Sequence, residues 1–405
     1  MYANLRRALF LLLCLSTTAD AQVTLGIDVL LETDSPHARL IEGKRIGLIT
    51  NPSGVDGRLI PTADRLARDK RTQLVRLYGP EHGIRGDVAA GKVVGDEKDP
   101  VTGIPVTSLY GSTKRPPAET LTELDALVFD IQDIGSRTYT YISTLGEALI
   151  ACAAAGKPLI VLDRPNPIGG TRFEGPLLTE AWKSFIGWGP MPVTHGMTAG
   201  EAARFFNAEL KLGCELHVVP MRGWKREMVW EDTGLAWTQT SPHVPNAIQA
   251  HLYVTTGMIA SSTKNISEGV GSTMPFELIG AEFVDANRLE TELNALRLPG
   301  VRFQALAWKP FYGKQQDKPM RGVRLRVDDP RAYQPLRTAI ALLVMLEKQY
   351  PGKIEYAGEQ VLGKHWSRTD LEAKLKSGAS ADQIIAEWND GLDGFAKARA
   401  RALIY

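Results

Sequence analysis

Four short segments hold most of the residues able to do chemistry. They are Thr50-Asn51-Pro52-Ser53-Gly54, Gly79-Pro80-Glu81-His82-Gly83-Ile84-Arg85-Gly86, Gln132-Asp133-Ile134-Gly135-Ser136-Arg137 and Asp163-Arg164-Pro165-Asn166-Pro167-Ile168-Gly169-Gly170. Together they carry the carboxylates Glu81, Asp133 and Asp163 and the guanidiniums Arg85, Arg137 and Arg164. Asn51, His82 and Asn166 add hydrogen-bonding groups, and Tyr139 and Tyr141 follow the third segment. Carboxylates act as acid, base or nucleophile, and arginine grips a carboxylate through paired hydrogen bonds. Such a set suits a polyhydroxylated, partly anionic ligand. Glu81 is the strongest acid candidate. It lies between Pro80 and His82-Gly83 directly after an apolar run, where partial burial favours the protonated form a general acid needs. The competing role for Glu81 is a structural ion pair with Arg85.

The elements that must position these segments are legible as pattern. Apolar runs at 45–50, 74–78, 126–131, 158–162 and 216–220 read as buried strands, and each of the four segments follows one of the first four. Helical patterns over 62–70 and 139–155, and one opening at Thr198 with Glu201 three residues on as a capping box, alternate with them. Continuous apolar strands separated by helices imply a parallel sheet covered on both faces. In such a sheet ligands bind beyond the carboxyl ends of the strands, where the four segments fall. Residues 223–280 are irregular and rich in Gly, Pro, Ser, Thr and Trp. Beyond them, helices over 286–296, 333–348, 369–376 and 380–389 and a strand over 322–327 read as a smaller α+β domain. The expected division is a catalytic domain over 22–255 and an auxiliary domain over 256–405.

Composition excludes several classes. The 405 residues carry 47 Lys+Arg against 46 Asp+Glu, too balanced for a nucleic-acid binder relying on bulk positive charge. At 44% hydrophobic residues the chain is too apolar to be disordered. Arg6 and Arg7, an apolar run over 8–15 and Ala19-Asp20-Ala21 form the three regions of a secretory signal over 1–21. The run is too short for a stable membrane span. Cleavage after Ala21 leaves 45 cationic and 45 anionic residues on an exported chain, expected in the periplasm. Of the three cysteines Cys14 leaves with the signal. Cys152, in Ala151-Cys152-Ala153-Ala154-Ala155, reads as a small buried thiol, with pairing to Cys214 as the alternative.

Nucleotide cofactors lack support: there is no G-x-x-x-x-G-K-[ST], no G-x-G-x-x-G after the first strand and no G-x-S-x-G. No H-E-x-x-H or C-x-x-C occurs, so neither a metal nor a cofactor is expected. Ser261-Ser262-Thr263-Lys264 fits S-x-x-K, which offers an acyl hydrolase using Ser261 and Lys264. The poor helix former that follows and the missing K-T-G argue against it. Five of the eight tryptophans, Trp182, Trp188, Trp224, Trp230 and Trp237, lie within 56 residues. They can stack on sugars, but core filling is the commoner role for each.

The segments also carry a resemblance. Leu48-Ile49-Thr50-Asn51-Pro52-Ser53-Gly54, Pro80-Glu81-His82-Gly83-Ile84-Arg85-Gly86, Phe129-Asp130-Ile131-Gln132-Asp133-Ile134-Gly135-Ser136-Arg137, Leu162-Asp163-Arg164-Pro165-Asn166-Pro167-Ile168-Gly169-Gly170, Glu174-Gly175-Pro176 and His195-Gly196-Met197-Thr198 occur in one order. In these the chain resembles the exo-β-N-acetylmuramidases of the NamZ type, glycoside hydrolase family 171, over nearly all of its length after the signal. The resemblance implies an α/β fold, a Rossmann-like domain followed by a smaller C-terminal domain with a cleft between them. It implies release of terminal N-acetylmuramic acid from peptidoglycan fragments such as MurNAc-GlcNAc in cell-wall turnover and recycling. On it, Glu81 is the catalytic acid, Glu174 the second carboxylate and Tyr139 a stabiliser of an oxocarbenium-like transition state. A second carboxylate, a tyrosine or the substrate's own acetamido group remain open as the completing group. Asn51, His82, Arg85, Asp133, Arg137, Tyr141, Asp163, Arg164, Asn166 and His195 are the expected substrate-binding residues.

The chain departs from the family pattern in one run and one triplet. Where the family commonly has Glu-Gly-Thr-Asn-x-Ser-x-Gly-Arg-Gly-Thr, residues 262–272 place Ser262 at the glutamate and Val270 at the arginine. Ser241-Pro242-His243 stands where Ser-Pro-Asn is usual, while Pro275-Phe276-Glu277 is kept. Two exchanges on one loop mean either a salt bridge removed from both ends or lost substrate contacts. The second case offers a muropeptide-binding protein without turnover as the alternative function.

Overall fold

The computed structural model describes residues 22–86, 97–111 and 113–405. The expected signal segment, with Cys14, lies outside them. Seven strands form the larger sheet: β1 (Arg45–Thr50), β2 (Gln73–Gly79), β3 (Glu97–Lys98), β4 (Pro105–Ser108), β5 (Ala126–Asp130), β6 (Leu159–Leu162) and β7 (Leu216–Val219). Their order is β3-β4-β2-β1-β5-β6-β7. All neighbours are parallel except β3 and β4. Ile46, Leu48, Leu127, Val128, Ile160 and Val161 are fully buried, as strands covered on both faces must be. The helices Thr62–Arg68, Tyr141–Ala155 and Ala199–Glu209 supply the cover. The last begins with the expected capping box: Thr198 Oγ1 accepts the Glu201 N–H and Glu201 accepts the Thr198 N–H.

From β1 the chain steps to β2 on one side and returns to β5 on the other. The carboxyl ends of β1 and β5 are therefore the topological switch point, where a crevice opens in sheets of this kind. A buried ion pair closes its base. Arg164 at the exit of β6 meets Asp130 at the end of β5 through Nε to Oδ1 at 2.5 Å and Nη2 to Oδ2 at 2.9 Å, and donates to the Val55 carbonyl at 2.5 Å. Thr62 Oγ1 also donates to Asp130 Oδ2.

The smaller sheet is antiparallel, β8 (Leu278–Ala281), β9 (Val301–Trp308) and β10 (Met320–Val327) in the order β8-β10-β9. Helix Ala286–Ala295 packs on it, and helix Pro335–Gln349 packs on that helix. One helical stretch, Ile248–Leu252, a π turn at Tyr253–Gly257 and Met258–Ser262, runs through the expected boundary near 255. Short β3 and β4, and β8 and β9, were not legible as strands. The C-terminal helix Leu392–Ala402 packs on Ala199–Glu209 of the parallel-sheet domain, and the Tyr405 hydroxyl donates to Asp163 at 2.8 Å. Cys152 and Cys214 are both buried free thiols. Trp188, Trp224 and Trp230 are core residues. Among the described residues no helix is long and apolar enough to cross a membrane.

Replacing Arg164 with methionine leaves Asp130 charged and without its buried partner. The expected result is a loss of about 3–5 kcal/mol of stability in urea unfolding, the usual cost of orphaning one member of a buried pair. A loss of ligand affinity with unchanged stability would instead mark Arg164 as a binding residue.

Candidate functional site

The structure gathers Glu81, His82, Thr138, Tyr139, Thr140, Tyr141, Ser241, His243, Tyr253 and Phe276 around a cavity of about 160 Å³. Glu81 leaves β2 into a turn closed by the Gly83 N–H to the Pro80 carbonyl at 3.0 Å. His82 within that turn is left-handed, with φ of 74°, a conformation that costs an ordinary side chain roughly 1–2 kcal/mol. The turn presents the Glu81 carboxylate to the cavity. Thr140, which precedes the helix Tyr141–Ala155, donates to Glu81 Oε2 at 2.9 Å. Burial first, then a hydrogen bond with Glu81, pushes the Tyr110 hydroxyl up to about 12.

The wall facing Glu81 is aromatic. Tyr139 meets Tyr141 and Tyr253 edge-on with ring centres 4.9 and 5.4 Å apart, and Tyr253 meets Phe276 at 5.1 Å. Phe276 belongs to the retained Pro275-Phe276-Glu277 segment and has φ of 63°. It is held there by its N–H to the Glu268 carbonyl at 2.7 Å, while Glu277 binds Gln249 and Arg324. Tyr253 begins the π turn, a distortion found often at functional sites. Burial pushes Tyr253 up to about 12, with the charges of Glu81 and Asp133 adding to it. Burial likewise raises Tyr141, again with contributions from Glu81 and Asp133, and raises Tyr139 well above the usual range. All three are neutral phenols at neutral pH. Tyr139 and Tyr141 are anchored to Thr240, at 2.8 Å to its hydroxyl and 2.7 Å to its carbonyl.

Asp133, at the exit of β5, is the second carboxylate whose charge reaches Tyr141 and Tyr253. Its Oδ2 accepts the Gly135 N–H at 2.7 Å. Gly135 has φ of 80°, and a Cβ there would lie 2.4 Å from Asn166 Oδ1, so only glycine closes this turn. His195 is fully buried behind Asp133 with Nε2 3.6 Å from Oδ2. Its Nδ1 accepts the Met197 N–H, which places the imidazole proton on Nε2, toward the carboxylate. Among the described residues Asp133 Oδ1 and His195 Nε2 have no hydrogen-bond partner. Buried polar atoms of this kind call for a partner.

Several expected site residues are instead structural. Arg137 is fully buried, and its guanidinium donates to the carbonyls of Pro176, Met191 and His365, so it ties segments together. Burial alone lowers it to about 9. Arg164 is consumed by Asp130. Asp163 accepts from the Gly200 N–H, Thr198 Oγ1 and the Tyr405 hydroxyl. Asn166 bridges the Met197 carbonyl and the Ile168 N–H. Arg85 does not pair with Glu81; it binds Asp99 at 2.8 Å and Asp64 at 2.9 Å. Arg85 and Asn51 still line an adjoining cavity of about 420 Å³ together with Trp237. Asn51 there accepts from Ser53 and donates to the Thr240 carbonyl. Glu174 is not brought to the Glu81 cavity. It pairs with Arg172 at 3.5 Å and accepts the Leu336 N–H, while burial raises its carboxyl. Ser261 ends a helix rather than starting one and donates to the Gly257 carbonyl at 2.6 Å; Lys264 is exposed. No acylating pair exists there.

A larger groove, about 820 Å³, lies at one end of the small sheet among Arg297, Arg302, Arg326 and Asp328. It shares no residue with the strand exits. Among the described residues no cluster of His, Cys, Asp and Glu could hold a metal.

The geometry has counterparts in known proteins. Residues 46–248 match the model of the exo-β-N-acetylmuramidase NamZ N-terminal domain, and residues 251–405 match that of its C-terminal domain. The chain belongs to the NamZ family. The peptidoglycan β-N-acetylmuramidase NamZ of Bacillus subtilis (strain 168) is 43% identical over 393 residues, 96% of this chain and 93% of that protein. A DUF1343 family protein from Bacteroides fragilis NCTC 9343 superposes with a TM-score of 0.88 at 38% identity, covering 95% of this chain and 99% of that one. A second from the same organism gives 0.75 at 24% identity, with 95% and 99% covered, and shares the fold. Two of the departures from the NamZ pattern lie off the cavity wall. Ser262 is buried and accepts the Trp366 indole N–H at 2.6 Å, and Val270 packs on the core. His243 lies on the wall. Sequence reasoning noted His243 and Phe276 within motifs without assigning them to the site, and Tyr253, Thr140 and Tyr110 gave no signal beyond their residue types.

Asp163 gives the family core a pH signature. Burial pushes its carboxyl from 3.8 up to about 6, against hydrogen bonds from Gly200, Thr198 and Tyr405. The folded state thus binds this proton more readily than the unfolded chain. The resulting stability is full below the ordinary value and is lost as pH rises through the folded one. Urea titrations should show the stability advantage of wild type over Asp163→Asn shrinking as pH rises from about 4 to about 7. An advantage that grows over that window would refute it.

Proposed function

We propose that this chain is an exo-acting glycosidase that releases terminal N-acetylmuramic acid from peptidoglycan fragments of the MurNAc-GlcNAc type. The observation that carries the reading is Glu81, set at the exit of β2, held by Thr140 and Tyr110, and opening on a cavity walled by aromatic rings. Family membership and the relative from Bacillus subtilis support it.

In this reading Glu81 gives its proton to the departing glycosidic oxygen, which is the acid's role in glycoside hydrolysis. Asp133 is the second carboxylate. Its Oδ2 is fixed by Gly135 and backed by His195, and its Oδ1 is buried without a hydrogen-bond partner. The neutral tyrosines offer ring edges and not a nucleophile, their hydroxyls being bound to Thr240 and Thr138, so a phenolate mechanism has no support. The arrangement of Glu81 and Asp133 also argues against a binding protein without turnover, because the exchanges at Ser262 and Val270 leave both acids in place.

The same reading places the enzyme in the periplasm, delivered by the segment 1–21. Cell fractionation and N-terminal sequencing test this, with a mature chain beginning at Gln22 as the expected result. A chain retaining Arg6 and Arg7 in the cytoplasmic fraction would refute export.

The direct test of activity is release of the aglycone from a chromogenic β-MurNAc glycoside. Glu81→Gln should lower the rate by about 10²–10⁴-fold, the usual contribution of a general acid. Asp133→Asn should lower it substantially, while Glu174→Gln should retain most of it. Undiminished turnover by Glu81→Gln would sink the assignment.

A further inference from the structure

Beside the cavity lie two exposed aromatic side chains. Phe311 and Tyr312 are 62% and 39% exposed, side by side, with ring centres 5.2 Å apart. The Tyr312 hydroxyl lies 2.8 Å from His243 Nε2, and the two rings stack at 5.8 Å with 23° between their planes. His243 in turn lines the cavity with Glu81. Burial, with the charge of His82, lowers His243 and keeps it neutral.

The exposure is not slackness in a loop. Phe311 N–H donates to the Gly271 carbonyl and Asp317 N–H to the Pro310 carbonyl, each at 2.8 Å. The Gln315 side chain donates to the Lys264 carbonyl at 2.8 Å, and Lys314 donates to the Thr263 carbonyl. Gly271 has φ of 89°, and a Cβ there would meet the Tyr312 carbonyl at 2.1 Å, so the close approach of the two loops requires glycine. Two exposed aromatic rings are thus held rigidly, at a cost in apolar hydration that core packing does not offset. Two of the departures from the family pattern, His243 and Val270, lie at this place. His243 binds Tyr312, and Val270 is the nearest neighbour a side chain at Gly313 would meet.

We propose that Phe311 and Tyr312, with His243, form the platform that binds the aglycone sugar, the residue on the reducing side of the muramic acid being released. The inference rests on the glycosidase reading above. The apolar C–H face of a pyranose stacks on an aromatic ring, and the platform adjoins the cavity holding the acid that protonates the bond between the two sugars. His243 joins the two, which makes it a specificity-determining residue in this chain.

The test compares MurNAc-β-1,4-GlcNAc with methyl β-MurNAc, which lacks an aglycone sugar. The ratio of kcat/KM for the disaccharide to that for the methyl glycoside should fall about 3- to 10-fold in Phe311→Ala and in Tyr312→Ala, the worth of a stacked ring. The loss should lie in KM for the disaccharide. Tyr312→Phe should recover most of it. An unchanged ratio in Phe311→Ala, whose exposed side chain is not needed for folding, overturns the platform. A wild-type enzyme that cleaves neither substrate overturns the glycosidase reading instead. Calorimetry then decides the platform: weaker disaccharide binding by Phe311→Ala with unchanged binding of free MurNAc supports it, and equal losses overturn it.

Discussion

The buried pair of Arg164 and Asp130 is the constraint on which the site stands. It joins the exits of β5 and β6 and, through the Val55 carbonyl and Thr62, the connection leaving β1. These exits flank the switch point, and Gln132 to the Pro165 carbonyl and Thr50 to the Asp130 carbonyl tie them further. A pair so fully removed from water gains little net energy, since desolvation of two ions consumes most of their attraction. What it does supply is geometry. The fork of the guanidinium fits one arrangement of β5 and β6, and with it the direction in which Asp133 leaves the sheet.

The same physics explains why charge at strand exits was a poor guide to which residues face a ligand. An exit in a doubly covered sheet turns the chain under helices, and its backbone groups need partners there. Asp163 serves the start of the Ala199–Glu209 helix, Asn166 and Arg137 serve carbonyls, and Asn51 closes its own turn. A sequence shows that a polar residue follows a strand but not whether it points along the sheet or out of it. Glu81 differs from the others by opening on a cavity walled by rings, and that difference belongs to the partner segments.

Those partners come from the part of the chain with the weakest pattern. The strands, the capping box at Thr198 and most helices were legible because each rests on local periodicity. Tyr253, Phe276 and His243 lie in irregular chain, and their place at the cavity depends on a π turn, a left-handed phenylalanine and a loop crossing from one sheet to the other. Glu174 shows the converse. It sits in a motif as specific as that of Glu81, yet its neighbours are Arg172 and the start of the Pro335–Gln349 helix. Tyr405 is likewise invisible as a core residue until the C-terminal helix brings it back to Asp163.

The composition of the cavity wall has a chemical consequence. Three tyrosines raised by burial keep their protons, so the wall contributes low polarity and weak donors but no charge. Thr140 and Tyr110 stabilise one position of Glu81, while Gly135 and His195 stabilise one position of Asp133. The two acids are therefore set in unlike environments, one bound by hydroxyls and partly open, the other bound by an amide and backed by an imidazole. That asymmetry follows from which strand each residue leaves and what lies beyond its end.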